Sequence, residues 1–199
     1  TFDYNVVWRD SSGNIGTFEN LTASQTIDVA PGPVDVRISG DFPHFTSGTV
    51  TTGVTDVRQW GDIAWGSMLE MFRNETGLTI FSASDNPDLS GVTTLWRTFQ
   101  DASNFNSDIN GWNVSNIQTL RSTFFNADSF NQPLNNWNVS GVTDMRDTFN
   151  RARDFNQDIT MWDVRNVSLM NNMFAFTIFN QDISVWDVSN VSDFGFLFH

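Results

Sequence analysis

Four tryptophans, Trp112, Trp137, Trp162 and Trp186, recur at intervals of 25, 25 and 24 residues, and this period limits the folds open to the chain more than any other feature. Each follows a Phe-Asn pair (Phe105-Asn106, Phe130-Asn131, Phe155-Asn156, Phe179-Asn180) and stands two positions before a valine (Val114, Val139, Val164, Val188). A period in the twenties means one supersecondary unit per repeat. Such a unit cannot bury its apolar side alone and must stack on its neighbours. The four indoles are therefore expected to lie coil over coil in one continuous core, where each buried large side chain contributes roughly 1.5–3 kcal/mol.

Two periodicities divide the repeat. Ile159, Trp162 and Val164 are placed as on a strand, with Trp162 and Val164 facing the same side. Val167, Met170, Met173 and Phe174 fall at the spacing of a helix stripe, and Val142, Met145, Thr148 and Phe149 occupy the same slots one unit earlier. The expected fold class is an α/β repeat, a solenoid with one short strand and one short helix in each unit of about 25 residues. Ser115-Asn116, Ser140-Gly141 and Ser189-Asn190 stand where helix N-caps belong, with Arg165-Asn166 in the remaining unit. Asn106, Asn131, Asn156 and Asn180 read as a structural ladder of turn amides, a ligand-binding amide being the other reading.

The array is expected over residues 58–199, with irregular opening repeats at 58–104 and regular ones at 105–199. Residues 1–57 carry no trace of the repeat. Their alternating β-branched runs at 4–8, 24–29 and 34–38 are separated by Ser11-Ser12-Gly13-Asn14 and Pro31-Gly32-Pro33, and they predict a β-sandwich-like cap packed on the first repeat. Residues 191–199 stop inside a predicted helix with no polar cap, so the chain is expected to be a fragment of something longer or to be covered by a partner.

Charge excludes one class of partner. The 23 acidic residues face 10 basic ones, all Arg, giving a net charge of −13, the wrong sign for nucleic acid. No run of about 18 apolar residues marks a transmembrane segment, and with no cysteine there are no disulfides or thiolate metal sites. Arg97, Arg121 and Arg146 form a column; exposed helix-face ion pairs with Asp101, Asp144 and Asp147 are one reading, an anion stripe interrupted at Asn171 the other. Only two histidines occur, His44 and His199, and no nucleophile elbow, Walker loop or metal-spaced His/Glu set is present, so no enzyme is expected.

The units at residues 130–145 and 179–191 closely resemble the repeat of BspA-like leucine-rich-repeat bacterial surface proteins. Gln59-Trp60-Gly61-Asp62-Ile63 and Ala83-Ser84-Asp85-Asn86-Pro87-Asp88-Leu89 look like that family's opening, so residues 58–199 are covered. The resemblance implies a leucine-rich-repeat-like solenoid preceded by a PKD-type, Ig-like region. Val36-Arg37-Ile38-Ser39-Gly40-Asp41-Phe42-Pro43 resembles the strand leading into the array, while Trp8-Arg9-Asp10-Ser11-Ser12-Gly13 departs from the family's Trp-Gly-Asp-Gly turn. It further implies an extracellular or cell-surface location, adhesion or recognition, and no catalysis; the family offers no ligand residues to carry over.

If function lies on the stack, the strand-side row is the natural candidate. It comprises Asn113, Asn138, Asp163 and Asp187, flanked by Asn136, Met161 and Val185 and by Ser115, Ser140, Arg165 and Ser189. Polar rows of this kind suit a protein or glycan on another surface, or copies of the same chain. No cofactor or metal site is expected; the row's carboxylates could take Ca²⁺, but that ion needs six or more oxygens, and solvated Asp is the competing reading. The alternative function is a structural subunit of a surface filament, sheath or appendage, assembled by end-to-end or edge contacts. Asn-X-Ser/Thr at Asn20, Asn74, Asn113, Asn138, Asn166 and Asn190 arises in part from the repetition itself.

Overall fold

A computed structural model describes residues 3–22, 34–40, 42 and 53–199. The alternating run at the start forms β1 (Tyr4–Arg9), which lies between β2 (Ile15–Leu21) and β3 (Asp35–Gly40), antiparallel to both. Asp10 builds the turn between β1 and β2: its Oδ1 accepts the N–H groups of Ser12 and Asn14 at 3.0 and 2.9 Å, and Gly13 supplies the positive φ of 85°.

The expected β-sandwich-like cap is not what forms here. A sandwich needs a second sheet, and the described residues contain one three-stranded sheet. Tyr4 and Val6 instead turn their side chains into the main core, where Tyr4 meets Phe42 at 5.0 Å and Phe42 meets Trp65 at 5.9 Å, both edge to face. The strand expected at 24–29, the Pro31-Gly32-Pro33 turn, Asp41, Pro43 and His44 lie outside the described residues.

From residue 53 onward the chain winds in coils stacked by single parallel bridges, Thr94 to Thr119 to Asp144 to Leu169 to Asp193. No helix occurs among the described residues, and the expectation of an α/β leucine-rich-repeat-like solenoid is therefore overturned. The segment expected to be helical is a run of tandem turns. Thr123, Phe125 and Ala127 donate their N–H groups three residues back, to Leu120, Ser122 and Phe124. Leu120, Ser122, Phe124 and Asn126 donate outward, to Asp144, Arg146, Thr148 and Asn150 of the next coil, at 2.8–3.0 Å. An α-helix would keep all of these donors within the segment, bonded four residues back. Here four of the seven join the coils.

The alternation requires left-handed backbone at two places per coil. Ser122 and Asn126 have φ of 53° and 57°, as do Asp147 and Arg151 (57° and 63°) and Asn172 and Phe176 (57° and 59°). For a residue with a β-carbon this conformation costs roughly 1–2 kcal/mol, less for Asn and Asp. The intercoil hydrogen bonds and the packing they enforce offset that cost.

Inside the stack run columns of aromatic rings. Phe99, Phe124, Phe149 and Phe174 lie face to face at 5.4–5.9 Å. A second column, Phe105, Phe130, Phe155 and Phe179, runs beside it at 5.8–6.1 Å. Trp112, Trp137 and Trp162 are each 3 % exposed and Trp186 8 %, and Trp137 stacks on Trp162 at 6.5 Å. Each later indole also holds the coil before it: Nε1–H of Trp137, Trp162 and Trp186 donates to the carbonyls of Ile109, Leu134 and Ile159. Wholly buried Thr98, Thr123 and Thr148 form a polar column within this core, each hydroxyl placed between its own coil's carbonyl and one of the preceding coil.

Candidate functional site

Between each buried Trp and its partner Val the chain must turn one side chain outward. Asn113, Asn138 and Asp187 are exposed there, and Asp163 is half-buried. The local geometry is an Asx turn repeated in every coil. Asn113 Oδ1 accepts Ser115 N–H and Oγ–H at 3.2 and 2.8 Å, and Asn138 Oδ1 accepts the same groups of Ser140 at 3.1 and 2.7 Å. Asp187 Oδ1 accepts Ser189 N–H at 3.1 Å. Asp163 goes further and holds Arg165 by a fork, Nε to Oδ1 at 2.9 Å and Nη2 to Oδ2 at 2.6 Å.

This arrangement corrects the N-cap reading. Ser115 and Ser140 give their hydroxyl protons to the row asparagines, and no helix follows either of them or Ser189 for a cap to serve. The adjacent asparagines have a role that sequence reasoning missed: Nδ2 of Asn116, Asn166 and Asn190 donates to the carbonyls of Ser90, Ser140 and Arg165 in the preceding coil. Their recurrence four positions after Trp112, Trp162 and Trp186, with Gly141 in the Trp137 coil, was the available signal. The other asparagine set is a ladder built through the backbone. Oδ1 of Asn106, Asn131 and Asn156 each accepts the next coil's N–H, from Asn131, Asn156 and Asn180, at 3.0 Å, and an amide proton of Gln132, Gln157 or Gln181 at 3.0 Å.

Next to the row the residues preceding each Trp form a second outward column, Gly111, Asn136, Met161 and Val185. Met161 is 81 % and Val185 69 % exposed, two apolar side chains presented to solvent where the earlier coils carry glycine and amide. Around them the carboxylates are held ionised. Hydrogen bonds from Arg165 bring Asp163 down to about 2. Asp158, Asp182 and Asp187 are lowered by bonds from Thr160, Ser184 and Ser189. Among the described residues no group of three or more His, Cys, Asp or Glu is placed to hold a metal ion.

The arginine column is also corrected. These coils repeat every 25 residues, whereas Arg97 and Arg121 are 24 apart, so Arg97 is one position out of register: its N–H donates to the carbonyl of Arg121, just as that of Ser122 donates to Arg146. Trp96 therefore aligns with Arg121, Arg146 and Asn171. Among the described residues no helix face exists to carry ion pairs. Arg146 forks onto Asp144 at 2.9 and 2.7 Å, Arg97 reaches Glu70 at 3.0 Å, and Asp101 accepts from Gln100 and Asn126 and not from an arginine.

No helix among the described residues is long and apolar enough to cross a membrane. The profile of a family described as "Mycoplasma protein of unknown function, DUF285" matches residues 66–178 and 135–199. No curated protein and no solved structure matches. The likeness to BspA-like leucine-rich-repeat proteins is thus not upheld, since the matching family is a different one and the helix that a leucine-rich-repeat unit was expected to contain is replaced by tandem turns.

Proposed function

We propose that this chain, which belongs to the DUF285 family, is a non-enzymatic recognition module that works outside the cell or on its surface. Its outer row contacts a partner protein or glycan. The observation carrying this reading is the division of labour around each tryptophan: Trp162 and Val164 fill the core while Asp163 between them and Met161 before them stay at the surface, coil after coil in register. Side chains fixed in rows by a stacked backbone lose little freedom when a partner arrives. The Asx turns strengthen this, because the oxygens of Asn113 and Asn138 are anchored and only their amide Nδ2 groups remain to donate outward.

The test is a binding screen of the purified chain against a glycan array and intact cells, with Met161→Asn plus Asp163→Asn as the altered surface. Saturable binding that falls at least about tenfold (1.4 kcal/mol) in the double variant is expected. Binding that is unchanged in it, or no saturable binding on any surface, would refute the proposal. Antibody labelling of intact producing cells checks the location.

A further inference from the structure

The repeat supplies its own reference for one unpaired cation. In the coil containing Arg146, the residue two positions earlier is Asp144, which receives the guanidinium through Nε to Oδ1 at 2.9 Å and Nη2 to Oδ2 at 2.7 Å. One coil earlier the same two slots hold Thr119 and Arg121. Thr119 Oγ accepts the Arg121 backbone N–H at 3.1 Å, as Asp144 accepts that of Arg146, but it offers no charge. Arg121 makes no side-chain hydrogen bond or ion pair among the described residues, and its Nε is shielded from water without a partner. Its guanidinium carbon sits 5.4 Å from the centre of the Trp96 indole; that of Arg97, which is paired with Glu70 at 3.0 Å, lies 4.9 Å from the same ring.

We propose that Arg121, which lies against the Trp96 indole, forms a binding site for an oxyanion, a carboxylate or sulfate group. The site lies in the tandem-turn segment, apart from the outer row, and does not depend on the function proposed for that row. Three observations favour it. The guanidinium already lies over the Trp96 ring, a contact that favours a planar cation and limits the side-chain freedom lost when two parallel N–H groups meet two oxygens. A half-buried cation without an acceptor is costly, and an arriving oxyanion removes that cost. A carboxylate or sulfate would meet Arg121 with the chemistry by which the Asp144 carboxylate meets Arg146 one coil later.

The experiment titrates the full chain with sodium sulfate, N-acetylneuraminate and glucuronate at constant ionic strength, following the Trp96 indole N–H signal by NMR. A saturable shift is expected, with the dissociation constant raised at least tenfold by Arg121→Gln and likewise by Thr119→Asp. The second variant keeps the arginine and places an internal carboxylate in the arrangement already used by Asp144, so it blocks the site without emptying it and guards against misfolding of the first. Tighter binding of either sugar acid identifies an acidic glycan as the source; equal binding of sulfate identifies a free anion, and both support the site. No saturable shift with any of the three, or shifts indifferent to both substitutions, would overturn it.

Discussion

Replacing Trp137 with alanine tests the architecture at its centre, and the structure sets the size of the effect. The indole is 3 % exposed, lies 6.5 Å from Trp162 with planes 3° apart, touches Phe124 at 6.1 Å, and donates Nε1–H to the Ile109 carbonyl at 3.0 Å. Truncating a buried Trp costs about 3–5 kcal/mol from lost transfer and the residual cavity. The Ile109 carbonyl also loses its donor, an additional cost of roughly 1 kcal/mol. A loss of about 4–6 kcal/mol is therefore expected, comparable with the whole stability of many domains. The neighbouring substitution Asn138→Ala removes an exposed acceptor for Ser140 and should cost no more than about 1 kcal/mol. Both are read from urea denaturation followed by far-UV circular dichroism, which is insensitive to the deleted fluorophore. Equal losses would mean that the inward and outward sides of the coil have been exchanged in this reasoning.

Three further outcomes follow from the same geometry. Asn156→Ala removes the oxygen that accepts Asn180 N–H and Gln181 Nε2–H, so hydrogen exchange at the Asn180 amide should speed up markedly, whereas Asn156→Asp keeps the acceptor and should leave it slow. At Asn126, φ 57°, both Ala and Gly lose the 2.9 Å bond to Asp101, but only Ala adds the left-handed strain of roughly 1–2 kcal/mol, so a denaturation midpoint for Asn126→Ala at or above that of Asn126→Gly would contradict the backbone assignment. Asp85 is held below its ordinary 3.8 by the N–H groups of Trp60 and Gly61, and Asp163 at about 2 by Arg165; folded values lower than unfolded ones stabilise above pH 3.8 and lose that contribution as pH falls towards 2. Asp85→Asn should flatten the acid limb of a stability–pH profile, and a profile as steep as that of the unaltered chain would argue against those two bonds.

How much of this was legible in the sequence depends on which interaction fixes each feature. The period, the burial of Trp112, Trp137, Trp162 and Trp186, and the outward placement of the residues beside them all follow from hydrophobic spacing, because a ring that recurs once per coil has one place to go. The backbone of the second half did not follow. Leu120, Thr123, Phe124 and Ala127 have helical spacing, yet a run of turns with bonds three residues back gathers the same positions on one side. What separates the two is the destination of the Ser122, Phe124 and Asn126 amides, and that is decided by the adjacent coil.

A local signal did exist. Asn74, Asp101 and Asn126 occupy one left-handed slot in successive coils, and Asn and Asp are the residues with β-carbons that tolerate it best. In the later coils the slot holds Arg151 and Phe176, whose φ values of 63° and 59° can be maintained only by their surroundings. Their amides donate to Ala175 and His199 at 2.8 and 3.0 Å, within the same ladder that Asn126 uses to reach Asn150. The conformation thus propagates from coils whose residues favour it to coils whose residues do not, so it belongs to the stack and not to any one repeat. The same dependence explains why the sequence showed Arg121 only as a member of an arginine column and did not single it out from Arg146. The two differ because Thr119 stands where the next coil has Asp144, a difference that acquires chemical meaning only once the two coils lie in register.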